Sequence, residues 1–163
     1  MTPNLDAAAR ERILDFVRPL SVGIDGVTNF GFVKRRLAIV GRLREAVLPG
    51  EKGRAADEGR LFLLTAFAGL PSRRIDAESR AGLLLKSVDI SLEEIRILVS
   101  SLRRYESDPR SAEEEFVHDA VLLESVGAYG VTQLLVAGAR ERMTLAEMAR
   151  EIAERMASAR FVT

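Results

Sequence analysis

The sequence predicts an all-α fold, a bundle of about seven helices, and three observations carry that expectation. Apolar residues recur at spacings of three and four along most of the chain. A hydroxyl residue stands three positions before a glutamate at Ser91 and Glu94, Ser111 and Glu114, and Thr144 and Glu147, each time ahead of an apolar-periodic segment. At that spacing the hydroxyl and the carboxylate reciprocally satisfy the orphan backbone donors of a helix start. No segment alternates apolar and polar residues for long, so no sheet is expected.

In chain order, Leu5 to Val17 forms a first helix with Asp6 as its cap and Ile13, Leu14 and Val17 on one side, and Pro19 with Ser21 to Gly26 then makes a loop. From Thr28 to Leu48 the residues Phe30, Val33, Leu37, Val40, Leu43 and Val47 mark one helical face. Lys34, Arg35, Arg36, Arg42 and Arg44 fall mostly on the other face, and Pro49 and Gly50 stop the helix. Glu51 to Gly59 is a charged connector, turning helical near Ala55, and it leads into a buried helix from Leu61 to Leu70 that Pro71 ends. A further helix covers Ile75 to Val88. Helices over 91–104, 111–138 and 144–161 follow from the three capping signatures, the second bending near Gly127 and Gly130 because glycine weakens a helix interior.

With 163 residues and an apolar share of 47%, one domain spanning 1–163 is the expected organisation. The 24 basic and 24 acidic residues cancel, which removes the electrostatic case for nucleic acid or acidic membranes as partners. Without cysteine there are no disulfides, thiolate metal sites or cysteine nucleophile, and a cytoplasmic location is expected. Met1 to Arg12 does not read as a signal peptide, and no apolar run approaches the roughly 18 residues of a membrane span.

The most informative stretch runs from Glu115 to Val131. Asp119, Ala120, Leu123, Glu124, Gly127, Ala128 and Gly130 stand in it, in order, as an aspartate followed by alanine, a leucine, an acidic residue and a Gly-Ala-x-Gly bend. That pattern resembles the last block of the HD phosphohydrolases, a superfamily of all-helical metal-dependent enzymes. The resemblance extends upstream by helix order and spacing to cover 24–138, with 144–161 as a C-terminal helix. It implies a site in which a histidine on the first core helix, a His-Asp doublet on the next and the terminal aspartate hold one or two divalent metals. Its register puts Asn29 at the first histidine and Ala68 and Gly69 at the doublet, leaving Asp119 alone of the ligands. Alanine and glycine donate no electron pair from a side chain, and a water-activating metal needs several convergent ligands plus an open position.

Other constellations read as structural. His118 beside Asp119 spells the family name, yet adjacent residues on a helix diverge by about 100°, so His118 is expected to be hydrogen-bonded or partly exposed. A serine triad around His118 lacks any nucleophile elbow at Ser125 or Ser111. Glu113, Glu114 and Glu115 suit the first turn of a helix through its macrodipole. Lys34 to Arg36, Arg73 with Arg74 and Arg103 with Arg104 read as solvated faces without interleaved aromatics for base stacking, so nucleic acid is not expected. Leu145, Met148, Ile152 and Met156 form a stripe that packs on the domain or against a second copy in a homodimer.

The functional expectation is a non-catalytic HD-like domain acting as a ligand-binding, regulatory or protein-interaction module, with no cofactor and no metal. Its vestigial pocket would be formed by Asn29, Ala68, Gly69, Asp119 and Glu124, open to a small ligand or a protein partner. The alternative is a metal-dependent phosphohydrolase of nucleotides or phosphate esters, with a site remodelled around Asp119, Glu124 and His118.

Overall fold

Local chemistry starts most of the helices. In the computed structural model, which describes residues 3–21, 30–47, 56–70, 75–76 and 78–163, the side chains of Asp6, Asp57, Ser79, Ser91, Ser111 and Thr144 each accept a hydrogen bond from the backbone N–H three residues on. Each satisfies a donor that a helix leaves orphaned at its start. The elements are α1 (Ala7–Leu20), α2 (Phe30–Ala46), α3 (Glu58–Phe67), α4 (Arg80–Lys86), α5 (Leu92–Arg104), α6 (Ala112–Val126), α7 (Ala128–Arg140) and α8 (Leu145–Ser158). The described residues are therefore all helix and connection, as expected, with eight helices where about seven were anticipated.

The extra helix comes from the 111–138 segment, which bends by 56° between α6 and α7. Gly127 sits at the bend with an extended backbone, capping both helices at once. Three residues later the first turn of α7 presses on the last turn of α6, where a Cβ at Gly130 would stand 1.9 Å from the Ser125 carbonyl oxygen. Only glycine fits there.

Several expected boundaries shift. Helix α1 runs through Pro19, which lies in the last turn, and Ser21 closes it by donating its N–H to the Val17 and Arg18 carbonyls. Helix α3 begins at Glu58, three residues before the apolar run, because Asp57 is its cap. Helix α4 covers only part of Ile75 to Val88, since the Asp76 carboxylate folds back on the N–H groups of Glu78 and Ser79, and Ser79 starts the helix. Pro49, Gly50, Pro71 and the loop residues Gly23 and Gly26 lie outside the described residues.

The capping expectation is also refined. Only Thr144 and Glu147 exchange both bonds of the box. Glu94 and Glu114 receive the serine cap on their N–H but send their carboxylates elsewhere, Glu94 to Arg60 and Glu114 to Ser101, Arg104 and the Arg110 N–H. A partner reached through the tertiary fold outcompetes the local N–H.

Helix α3 forms the centre, since every residue from Leu61 to Ala68 is buried. It packs on α1, α2, α5 and α6, while α6 packs on α2, α3, α7 and α8. Buried side chains of α1 to α6 join into one apolar cluster that includes Ile13, Val33, Phe67, Leu85, Ile95 and Val117. Removing one such side chain from water contributes about 1.5–3 kcal/mol. The single hydroxyl in α3, Thr65, is satisfied by donating to the Leu61 carbonyl at 2.6 Å. No single helix among the described residues is long and apolar enough to cross a membrane.

Gly130→Ala is expected to lose about 2–3 kcal/mol of stability through overpacking against the α6 backbone. Gly41→Ala, on α2 with nothing within 4 Å of its missing Cβ, should instead gain about 0.5–1 kcal/mol from helix propensity. Urea denaturation of the two variants against the parent chain checks both signs.

Candidate functional site

The residues singled out from the sequence divide between two separate arrangements on α6. Asp119 and Glu124 are both buried, at 0% and 5% exposure, and five positions on a helix turn them about 140° apart. Each therefore meets a different neighbour. Glu124 faces α2 and the end of α3, and Asp119 faces the chain that follows α8.

On the Glu124 side the centre is Arg36 of α2, 1% exposed. Its Nε donates to Glu124 Oε2 at 3.0 Å and its Nη1 donates to the Ala68 carbonyl at 2.8 Å. Gly69 adjoins, with φ +85 and its missing Cβ 3.6 Å from Arg36 Nη1. The guanidinium also lies over the Phe32 ring at 4.2 Å, and that of Arg35 lies over Tyr129 at 3.8 Å, the two rings being 5.9 Å apart. Arg35 Nε reaches Glu124 Oε1 only at 3.6 Å, and both atoms are buried without a hydrogen-bond partner. Burial raises the Glu124 carboxyl above its ordinary value, outweighing the pull of Arg36 and Arg35 in the other direction.

This corrects the sequence reading of α2, in which Arg36 belonged to the outer, basic face. A signal was present: Val33, Arg36 and Val40 follow the same three-and-four spacing, and the two valines are buried. Residue type obscured it. The space between α2, α3 and α6, expected to be a vestigial pocket, holds the Arg36 side chain on Ala68 and Glu124. Asn29, the remaining member of that pocket, lies outside the described residues.

On the Asp119 side the carboxylate is engaged by the non-helical segment 159–163, although the last helix was expected to continue to 161. Val162 N–H donates to Oδ1 at 3.0 Å and Oδ2 at 3.2 Å, and Thr163 donates to Oδ2 from its N–H at 2.8 Å and from its hydroxyl. His118 belongs to the same clasp. Its Nδ1 meets the Tyr105 carbonyl at 3.0 Å and its Nε2 meets the Arg160 carbonyl at 3.2 Å. A carbonyl only accepts, so in each of these contacts the ring nitrogen acts as the donor when it carries a hydrogen. The expected divergence of His118 from Asp119 is only partial, since Nε2 and Oδ1 come within 4.0 Å over the shared segment.

The remaining candidates act within the scaffold. Glu113 accepts the Asp57 N–H at 2.7 Å, tying α6 to the start of α3. Glu114 is fully buried. Burial by itself raises its carboxyl, but the bonds from Arg104, Ser101 and the Arg110 N–H together hold it below its ordinary value of 4.5. Among the described residues the basic groups are engaged separately: Lys34 lies over Phe30, Arg36 is buried and Arg104 pairs with Glu114, while Arg73 and Arg74 fall outside the described residues. A cavity of about 80 Å³ lies elsewhere, between α3, α5 and the start of α6. Its apolar wall includes Leu64 and Leu98, and its polar rim is closed on itself by the Arg60–Glu94 and Arg104–Glu114 pairs. Among the described residues no group of three or more His, Asp or Glu side chains is placed to hold a metal ion.

Compared with protein-family models, with curated proteins and with solved structures, the chain matches none.

Arg36→Met is expected to cost about 3–5 kcal/mol because it strands a buried carboxylate, while the double variant Arg36→Met with Glu124→Leu should recover most of that loss. A double-mutant cycle by urea denaturation measures the coupling. For Glu114 the folded-state carboxyl lies below its ordinary 4.5, so its contribution is complete at higher pH and is lost as pH falls through the folded value. Glu114→Gln should therefore lower the melting temperature at neutral pH and flatten its decline below pH 4.5, as followed by thermal melts across the acid range.

Proposed function

We propose that this chain is a non-catalytic helical module of HD-like design, which binds a ligand or a protein partner and does not hydrolyse phosphate esters. The observation that carries the reading is the Arg36 guanidinium, buried against Glu124 and the Ala68 carbonyl. In the register of the resemblance Ala68 belongs to the doublet that would hold the metal, so the guanidinium stands at that half of the expected site. A fixed positive charge there disfavours a divalent cation by direct repulsion in a poorly screened interior. Asp119, the remaining ligand position, accepts hydrogen bonds on both oxygens from the 159–163 segment.

An interaction role is supported by large apolar side chains left exposed, among them Leu135, Leu145, Met156, Phe161 and Val162, each more than a third exposed, since covering such surface with a partner removes it from water. The cytoplasm is the compartment we assign, on the cysteine-free composition. The competing reading, a phosphohydrolase remodelled around Asp119, Glu124 and His118, draws on the 4.0 Å approach of His118 to Asp119. It would require the 159–163 segment to leave Asp119.

Metal analysis of the purified protein, paired with hydrolysis assays on nucleotides and phosphate esters in manganese and magnesium, tests the proposal. Substoichiometric metal and background rates are expected. Stoichiometric metal that Asp119→Ala abolishes would overturn the non-catalytic reading.

A further inference from the structure

Helix α8 and the extended residues after it form an arm that touches the rest of the molecule through α6 and α7. Two points hold it. Near its start, Met148 fills a notch that exists because residue 138 is glycine: a Cβ there would stand 2.7 Å from Met148 Cγ and Sδ. At its far end, Val162 and Thr163 bind the Asp119 carboxylate and the Arg160 carbonyl meets His118. Between these points Ile152 is half-buried and Met156 is 57% exposed, so Met148 is the buried residue of α8.

The turn that folds the arm back, Glu141 to Thr144, is poorly encoded by its own residues. It contains neither glycine nor proline, and Glu, Arg and Met are strong helix formers. Arg142 adopts φ +60, the left-handed conformation for which glycine is the default. The chain reverses there through Arg142 N–H on the Ala139 carbonyl at 3.3 Å and Met143 N–H on the Gly138 carbonyl at 2.8 Å. Only Thr144 favours the break, through its reciprocal cap with Glu147. If the hinge becomes helical, α7 and α8 continue as one helix, Arg142 leaves its strained conformation, and the arm is carried away from its seat.

A second copy then supplies the missing contacts, since its arm presents the same methionine to the Gly138 notch and the same two N–H groups to Asp119. Short hinges under strain favour exchange of this kind. We propose that the arm, residues 145–163, exchanges between two copies of this chain about the hinge 141–144, so that each copy closes the Asp119 site of the other. The contacts are equal within and between chains, so hinge strain and concentration set the balance. Exchange involves only the arm and its seat and is independent of whether the chain hydrolyses anything.

The absence of native cysteine allows a direct test. The Cγ position of Met148, where a cysteine sulfur would stand, is 2.7 Å from the Cβ position at residue 138, close to the separation across a disulfide. A Gly138→Cys, Met148→Cys chain, oxidised over a range of concentrations, should yield intrachain bonds when dilute and covalent dimers when concentrated. Arg142→Gly relieves the monomer's turn in both copies and should weaken the dimer by at least about tenfold. Thr144→Ala removes the cap that breaks the helix and should strengthen the dimer. Sedimentation of the parent and the two hinge variants without added cysteines reads the same equilibrium independently. Monomers throughout in both parent and Thr144→Ala, or a dimer indifferent to Arg142→Gly, would overturn the proposal.

Discussion

A guanidinium placed among apolar helices has to be matched on every donor it turns inward, and the contacts of Arg36 organise its surroundings accordingly. Glu124 supplies the opposing charge from α6, the Ala68 carbonyl supplies an acceptor at the end of α3, and Phe32 supplies a ring face from α2 itself. Three helices are thereby tied at one point. Removing two charges from water costs several kcal/mol per ion unless the geometry recovers it, so the angle at which α2 meets α3 and α6 is constrained. The raised carboxyl of Glu124 is the residue of that contest, burial outweighing two nearby cations.

Helix α6 carries the consequences along its length. Its first turn anchors the start of α3 through Glu113 and the end of α5 through Glu114. Its middle gives Phe116, Val117 and Ala120 to the core. Asp119 reaches the extended segment after α8, and Glu124 reaches α2, so carboxylates on one helix each receive a different part of the chain. This economy is available because every one of them meets N–H groups or a guanidinium in place. Acidic residues crowded on a helix of a metal-binding protein would converge on an ion; here they diverge onto the scaffold.

How much of this was legible beforehand follows from the range of the interactions. The starts of α5, α6 and α8 were visible in Ser91, Ser111 and Thr144, because a cap is settled within three residues. The bend at Gly127 and Gly130 was visible for the same reason. Arg36 was misplaced because a charged residue is ordinarily solvated, and only Glu124, 88 positions away, makes its burial tolerable. The capping boxes at Ser91 and Ser111 were half right: the hydroxyls cap, but Arg60 and Arg104 claim the carboxylates. Asp119 was expected in one pocket with Ala68, Gly69 and Glu124, whereas its partners stand more than 40 positions on, in a segment without periodicity.

By itself the sequence determined that the chain would be helical, where most helices would start, and that Ala68 and Gly69 could offer no side-chain ligand, since these depend on residue type and on neighbours within one helical turn. The tertiary structure alone decided which charges would be buried and whom each would meet. A buried ion pair is tolerated only when both partners arrive together, and that condition is set by the packing of helices distant in the chain.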